Sequence, residues 1–168
     1  MTASLIRPGA QTRTRAAGPV PTADLLKTHL DKWLAKNGPA LQDARRHIHS
    51  HPELSNAEHT TAAFLAARLA AAGLSPRMLP EGNGLLCDIG SASASGTRTV
   101  ALRADIDALP LQDTKDVPYR STVDGVCHAC GHDVHASVVL GTGLALAAMG
   151  DKLPGRVRLI FQPAEESI

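Results

Sequence analysis

At 168 residues, with 43% hydrophobic and only 2% aromatic side chains, the chain suits one globular domain large enough to bury a core. Seventeen basic against 16 acidic residues leave a net charge of +1. That balance argues against a nucleic acid or a membrane surface as the main partner, since both need a basic excess. Three cysteines (Cys87, Cys127, Cys130) form no disulfide framework and point to a reducing, cytoplasmic setting, and no apolar run reaches the length of a membrane span.

Residues 1–20 hold Arg7, Arg13 and Arg15, no acid, and no apolar stretch of the secretory kind. A disordered tail is expected there. Thr22 is placed to cap a helix carrying Leu26, Leu30, Trp33 and Leu34 on one face, with Asn37-Gly38 as its stop. Pro39 is expected to open a second helix through Leu41, Ala44, Arg45 and Ile48, ending near His51-Pro52, because the residue before a proline disfavours helix. Ser55-Asn56-Ala57-Glu58 has the spacing of a capping box. The helix after it should bury Phe64, Leu65, Leu69 and Ala72 and stop at Gly73.

Strands follow at Leu85 to Ile89, at Thr99 to Ala104 after a Ser/Gly turn at 91–96, and at Arg156 to Phe161, opened by Pro154-Gly155 and closed by Pro163. Between the last two lies an apolar helix from about Val134 to Met149. Gly141 and Gly143 each weaken it by up to about 1 kcal/mol relative to alanine, which close packing on a sheet would offset. Helices alternating with apolar strands indicate an α/β layered fold.

Three polar clusters adjoin these apolar elements: Arg103-Ala104-Asp105-Ile106-Asp107, Cys127 to His135, and Gln162-Pro163-Ala164-Glu165-Glu166. In α/β sheets functional groups gather beyond the carboxyl ends of strands, so the clusters are expected to converge. Cys130 and His132 flank a glycine that lets the loop bend, and thiolate and imidazole both suit zinc and related metals. Cys127-x-x-Cys130 also matches a redox pair or half of a structural zinc site, although no second cysteine pair exists to complete the latter. The haem-attachment signature fails because Gly131 precedes His132.

The adjacent carboxylates of Glu165 and Glu166 suit metal-assisted hydrolysis, one as ligand and one as general base, or else a solvated acidic loop. Pro163 ends the strand and frees the pair from strict alternation. Asp105 and Asp107, two apart, share a face on an extended segment; they suit metal ligation, the orienting of a histidine, or a plain strand-end turn.

Four stretches together resemble the M20 peptidase family, in its amidohydrolase branch of hippurate hydrolases, N-acyl-amino-acid amidohydrolases and plant auxin-conjugate hydrolases. They are Arg45 to Ser55 (RRHIHSHPELS), Leu102 to Pro110 (LRADIDALP), His128 to His135 (HACGHDVH) and Phe161 to Glu166 (FQPAEE). The resemblance runs from about residue 40 to the end. It implies a zinc-peptidase-like catalytic domain, a mixed central sheet flanked by helices, of which residues 21–168 would be the amino-terminal portion. It implies two divalent metal ions (zinc, manganese, nickel or cobalt), with Cys130, His132 and Glu166 as ligands. Glu165 is then the general base that activates the attacking water, and Asp107 supports the ligands from behind with Asp105 nearby. His51 is implied to be structural, and Cys127 and Cys87 to be packed in the interior. The implied substrate is a small N-acyl amino acid.

Family members are longer. The resemblance therefore also implies further sheet, two more histidine ligands, and a lid domain on which any homodimer would depend. The expectation is that this chain alone holds an incomplete site, catalytically weak or dead, with at most one weak metal site, and that its sheet keeps an open edge.

Overall fold

A computed structural model describes residues 22–90, 98–153 and 155–167. The expected tail at 1–20, the Ser/Gly turn at 91–96 and Pro154 lie outside these residues. In chain order the elements are α1 (Ala23–Ser50), α2 (His59–Ala71), β1 (Arg77–Met78), β2 (Leu85–Ile89), β3 (Thr99–Asp105), α3 (His132–Ala147), a short 3-10 turn (Gly150–Lys152) and β4 (Arg156–Gln162). The strands form one sheet in the order β1-β2-β4-β3. β1–β2 and β2–β4 are antiparallel, while β3–β4 is parallel. The sheet is therefore mixed, and α3 is the crossover that a parallel pair requires.

α3 sits between the sheet and α1. The two glycines explain how closely. A Cβ on Gly141 would come within 2.6 Å of Leu41 Cδ1, and one on Gly143 would collide with Leu159 Cδ1. The helix thus trades intrinsic propensity for close approach on both sides, as anticipated from the sequence. The core beneath it joins Ile48 of α1, Leu65 and Leu69 of α2, Leu85 and Cys87 of β2, Leu140 of α3, and Leu159 and Phe161 of β4, all buried.

The first two expected helices are one. α1 runs unbroken for 28 residues with Pro39 inside it. Asn37 caps nothing: its side-chain amide donates to the Trp33 carbonyl one turn back, at 2.8 Å. An interior proline costs a helix about 3 kcal/mol, and burial of Ala44 and Ile48 beyond it supplies the compensation. The Thr22 cap and the end at Ser50 are as expected, with Thr22 Oγ1 accepting from the Leu25 amide at 3.3 Å. Leu34 lies outside the buried stripe, at 54% exposed. Ala72 is also exposed, so α2 buries Thr61 and Ala62 in its place.

The capping box does not form. α2 starts at His59, and no side chain of Glu58 caps it. The amides of Thr60 and Thr61 instead donate to the carboxylate of Glu53, at 3.0 and 2.7 Å, from the His-Pro-Glu-Leu stretch. Burial pushes the Glu53 carboxyl up, but these hydrogen bonds outweigh it and hold its pKa below the usual value. Ser55 and Glu58 are committed elsewhere, to the turn described below.

β3 is one of the two outer strands of the sheet among the described residues. Thr99, Val100 and Ala101 are exposed at its start, whereas Ala104 near its end is buried. On the other side of β4, Asp88 of β2 receives Arg156 at 2.6 Å and Arg158 through two bonds of 2.7 and 2.8 Å.

Candidate metal centre

The four motif stretches meet at the carboxyl end of β3, tied by backbone bonds. The Ala108 amide donates to the Glu53 carbonyl at 2.8 Å, Leu109 and Cys127 exchange both amide bonds, and the Ile106 amide donates to the Gln162 carbonyl at 3.1 Å. α3 opens at Gly131, whose φ of 90° suits glycine and no other residue at low cost. That turn brings His132 and Cys130 toward the end of β4.

After β4, Pro163 ends the strand and Ala164 takes a φ of 57°, uncommon for a residue with a side chain. Two buried carboxylates hold this turn. Glu58 Oε1 accepts from the Ala164 amide at 2.6 Å, and Asp107 Oδ2 accepts from the Glu166 amide at 2.8 Å. With alternation broken, both glutamates face the same imidazole: His132 Nε2 lies 3.8 Å from Glu165 and 3.9 Å from Glu166.

His132 is buried and oriented from behind. Its Nδ1 lies 2.9 Å from Asp107 Oδ1 and 3.0 Å from the Asp107 carbonyl, so Nδ1 carries the donated proton and Nε2 keeps its lone pair for the pocket. Asp107 also accepts from Ser55 Oγ at 2.7 Å. Burial pushes the Asp107 carboxyl up, but the bonds from Glu166, Ser55 and His132 prevail and keep its pKa below the ordinary value.

Cys130, His132 and Glu166 each present one ligand atom within 4.8 Å of the others. The neighbouring Glu166 carboxylate favours the protonated thiol of Cys130 and holds its pKa up; burial and the charges of Glu166, Glu165 and Asp107 add to this. A divalent ion among these groups would reverse that electrostatic balance and favour the thiolate. The donor set therefore fits one borderline metal ion.

Of the remaining residues singled out in the sequence, Asp105 lies beside His132 and His135, whose ligand atoms with its own fall within 4.8 Å of one another. His51 is exposed, and its Nδ1 is 2.8 Å from the His47 carbonyl at the end of α1. Cys127 and Cys87 are buried and free, so Cys127 and the exposed Cys130 are not paired with each other.

Sequence reasoning missed three groups. Glu58 was read as part of a cap, yet it is fully buried and holds the glutamate turn and Asn83. His128 is buried with neither ring nitrogen bonded among the described residues. Burial lowers its pKa to about 4 despite the nearby Asp133. His49 pairs with Asp133 at 2.7 Å, while its other nitrogen faces Lys115 at 3.3 Å and Asp113 at 3.4 Å. Only the dense Arg/His run of α1 hinted at this second cluster. A cavity of about 480 Å³ lies along residues 112–124 and is lined by none of the candidate ligands.

Residues 101–168 match the Peptidase family M20/M25/M40. A probable hydrolase of Synechocystis sp. is 46% identical over 130 residues, 76% of this chain and 32% of that protein. An N-acetyl-L-cysteine deacetylase of Bacillus subtilis is 45% identical over 123 residues, 73% of this chain and 29% of that protein. Among solved structures, a dinuclear metal-binding M20 peptidase of Bacillus subtilis superposes with a TM-score of 0.70 at 37% identity, covering 83% of this chain and 36% of that one. The chain spans about a third of the length of these relatives.

Proposed function

We propose that this chain, which is similar in sequence and fold to the amino-terminal part of M20-family hydrolases, supplies half of a dinuclear metal centre that hydrolyses the amide bond of small N-acyl amino acids. The observation that carries the reading is the convergence of Cys130, His132 and Glu166 within 4.8 Å, with His132 oriented by Asp107. These three are the metal ligands; zinc, nickel and cobalt suit a thiolate–imidazole–carboxylate set best, and manganese, the weakest binder of the four, suits it least. When bound, the metal supplies Lewis-acid polarisation of the scissile carbonyl and charge stabilisation for the tetrahedral state.

The protein's own groups do the rest. Glu165, whose side chain is 41% exposed, is free to reach a substrate, whereas Glu166 is tied back through its amide to Asp107. Glu165 takes the proton of the attacking water and returns it to the leaving nitrogen. Asp107 fixes the tautomer of His132. The resemblance to amidohydrolases, one of them a deacetylase by name, supports an N-acyl substrate, with hippurate as the representative to test. Three free cysteines support a reducing cytoplasm.

With a whole dinuclear centre present, Glu165→Gln is expected to retain metal, measured by atomic absorption after gel filtration. Its kcat for hippurate should fall by about 10²–10⁴, the usual worth of a general base. Unchanged turnover would remove Glu165 from the role, and a wild type that cleaves dipeptides but no N-acyl amino acid would remove the substrate class.

A further inference from the structure

A second group of ligand-type side chains surrounds the same imidazole. Asp105, His132 and His135 present atoms within 4.8 Å of one another. Asp105 is the last residue of β3, and His132 and His135 occupy the first turn of α3, three residues apart and so on neighbouring positions of one face. Their ring centroids are 5.5 Å apart. Asp105 Oδ1 is buried and accepts no hydrogen bond among the described residues. The Arg103 guanidinium lies 2.7 Å away without the alignment a bond needs, on a side chain that is 50% exposed.

We propose that Asp105 and His135 complete, with His132, a second divalent-cation site of two imidazoles and one carboxylate. This rests on the reading of His132 as a metal ligand. Because Nδ1 is held by Asp107, only the lone pair of Nε2 is free, and one nitrogen lone pair binds one ion. The two sets therefore compete for His132 and differ in chemistry. The Cys130 set offers a soft thiolate. The Asp105 set offers only nitrogen and oxygen, the ligand type that accepts harder ions such as ferrous iron and manganese.

Two probes separate the sets on the 168-residue chain. Cobalt(II) on the Cys130 set gives a thiolate charge-transfer absorption, and manganese(II) binding is read from loss of the free-ion electron paramagnetic resonance signal. Loss of an outer-shell partner alone costs about 10–100-fold in metal affinity, so loss of the ligand in His135→Ala should weaken manganese binding by more than about tenfold. That variant should keep the cobalt–thiolate absorption, which also shows it is folded. Cys130→Ser should lose the absorption and keep manganese binding.

Manganese binding that is absent from the wild type, unchanged in His135→Ala or lost in Cys130→Ser would overturn the proposal. If His135→Ala loses both signals, Asp105→Asn on the other element replaces it under the same two readings, and loss of both signals there as well overturns the proposal. A wild type lacking the cobalt–thiolate absorption would remove Cys130 from the ligand set proposed above and leave the manganese result standing.

Discussion

Among the described residues, two buried imidazole–carboxylate pairs have nearly equal geometry, His132–Asp107 at 2.9 Å and His49–Asp133 at 2.7 Å. They differ in what the second ring nitrogen meets. For His132 it meets a thiol and two glutamates, all at least partly exposed. For His49 it meets Lys115 and Asp113, while Asp133 also forms an ion pair with Arg45, 2.7 Å away, and Tyr119 closes the flank. A buried histidine backed by a carboxylate is thus no sign of a metal by itself. One pair leaves a lone pair pointing at acids that want a cation; in the other, neighbouring side chains already occupy the positions a ligand would take. The first reads as a reactive centre and the second as a clamp between α1, α3 and the 112–124 loop.

Breaking each pair should therefore give different phenotypes. The largest effect is expected from Asp133→Ala, which leaves the buried His49 ring and the Arg45 guanidinium without their carboxylate; removal of one member of a buried pair costs about 3–5 kcal/mol. Urea unfolding should show this as a lower midpoint, with cobalt affinity of the folded fraction unchanged. Asp107→Ala should do the reverse in emphasis, lowering cobalt affinity about 10–100-fold because His132 loses its orienting partner. Equal loss of cobalt affinity in both variants would abolish the distinction.

Glu58→Ala tests whether the glutamate turn is held from outside the pair. It leaves the Ala164 amide unbonded, at a cost of about 1–3 kcal/mol. Cobalt affinity should fall with it, since the turn presents Glu166. The smallest effect is expected at Asp88, distant from both pairs. Arg158 and Arg156 hold its pKa down at about 2 against burial. A depressed folded value means stabilisation that is complete above the unfolded value of about 3.9 and lost as pH falls through about 2. Solvent screening of this partly exposed cluster limits it to about 1 kcal/mol, and Asp88→Asn should flatten that acid limb without touching metal binding.

The strands were legible because each is a short apolar run bounded by Gly and Pro. The extents of β2, β3 and β4 agree with expectation to within a residue. The glycines of α3 were legible as contact points for the same reason: a helix that spends propensity must recover it in packing. The break at Asn37-Gly38-Pro39 was misread because the residues that stabilise α1 across it act through α3, far along the chain. The capping box was misread because Ser55 and Glu58 find stronger partners in Asp107 and the Ala164 amide than the first turn of α2 offers. β1 is two residues long and carries no pattern of its own.

What the sequence determined by itself was the kind of chemistry. Cysteine, histidine and paired glutamates at those spacings belong to few reactions, and apolar periodicity placed them at the ends of a strand–helix–strand unit. What only the tertiary structure decided was which atoms face one another. Alternation and spacing do not say that Pro163 and Ala164 turn both glutamates toward His132, or that Asp107 rather than Asp105 takes its Nδ1. Nor do they say that His49 is closed off while His132 is left open. These depend on contacts between residues far apart in the chain, and such contacts are selected by the packing of the whole core rather than by any local pattern.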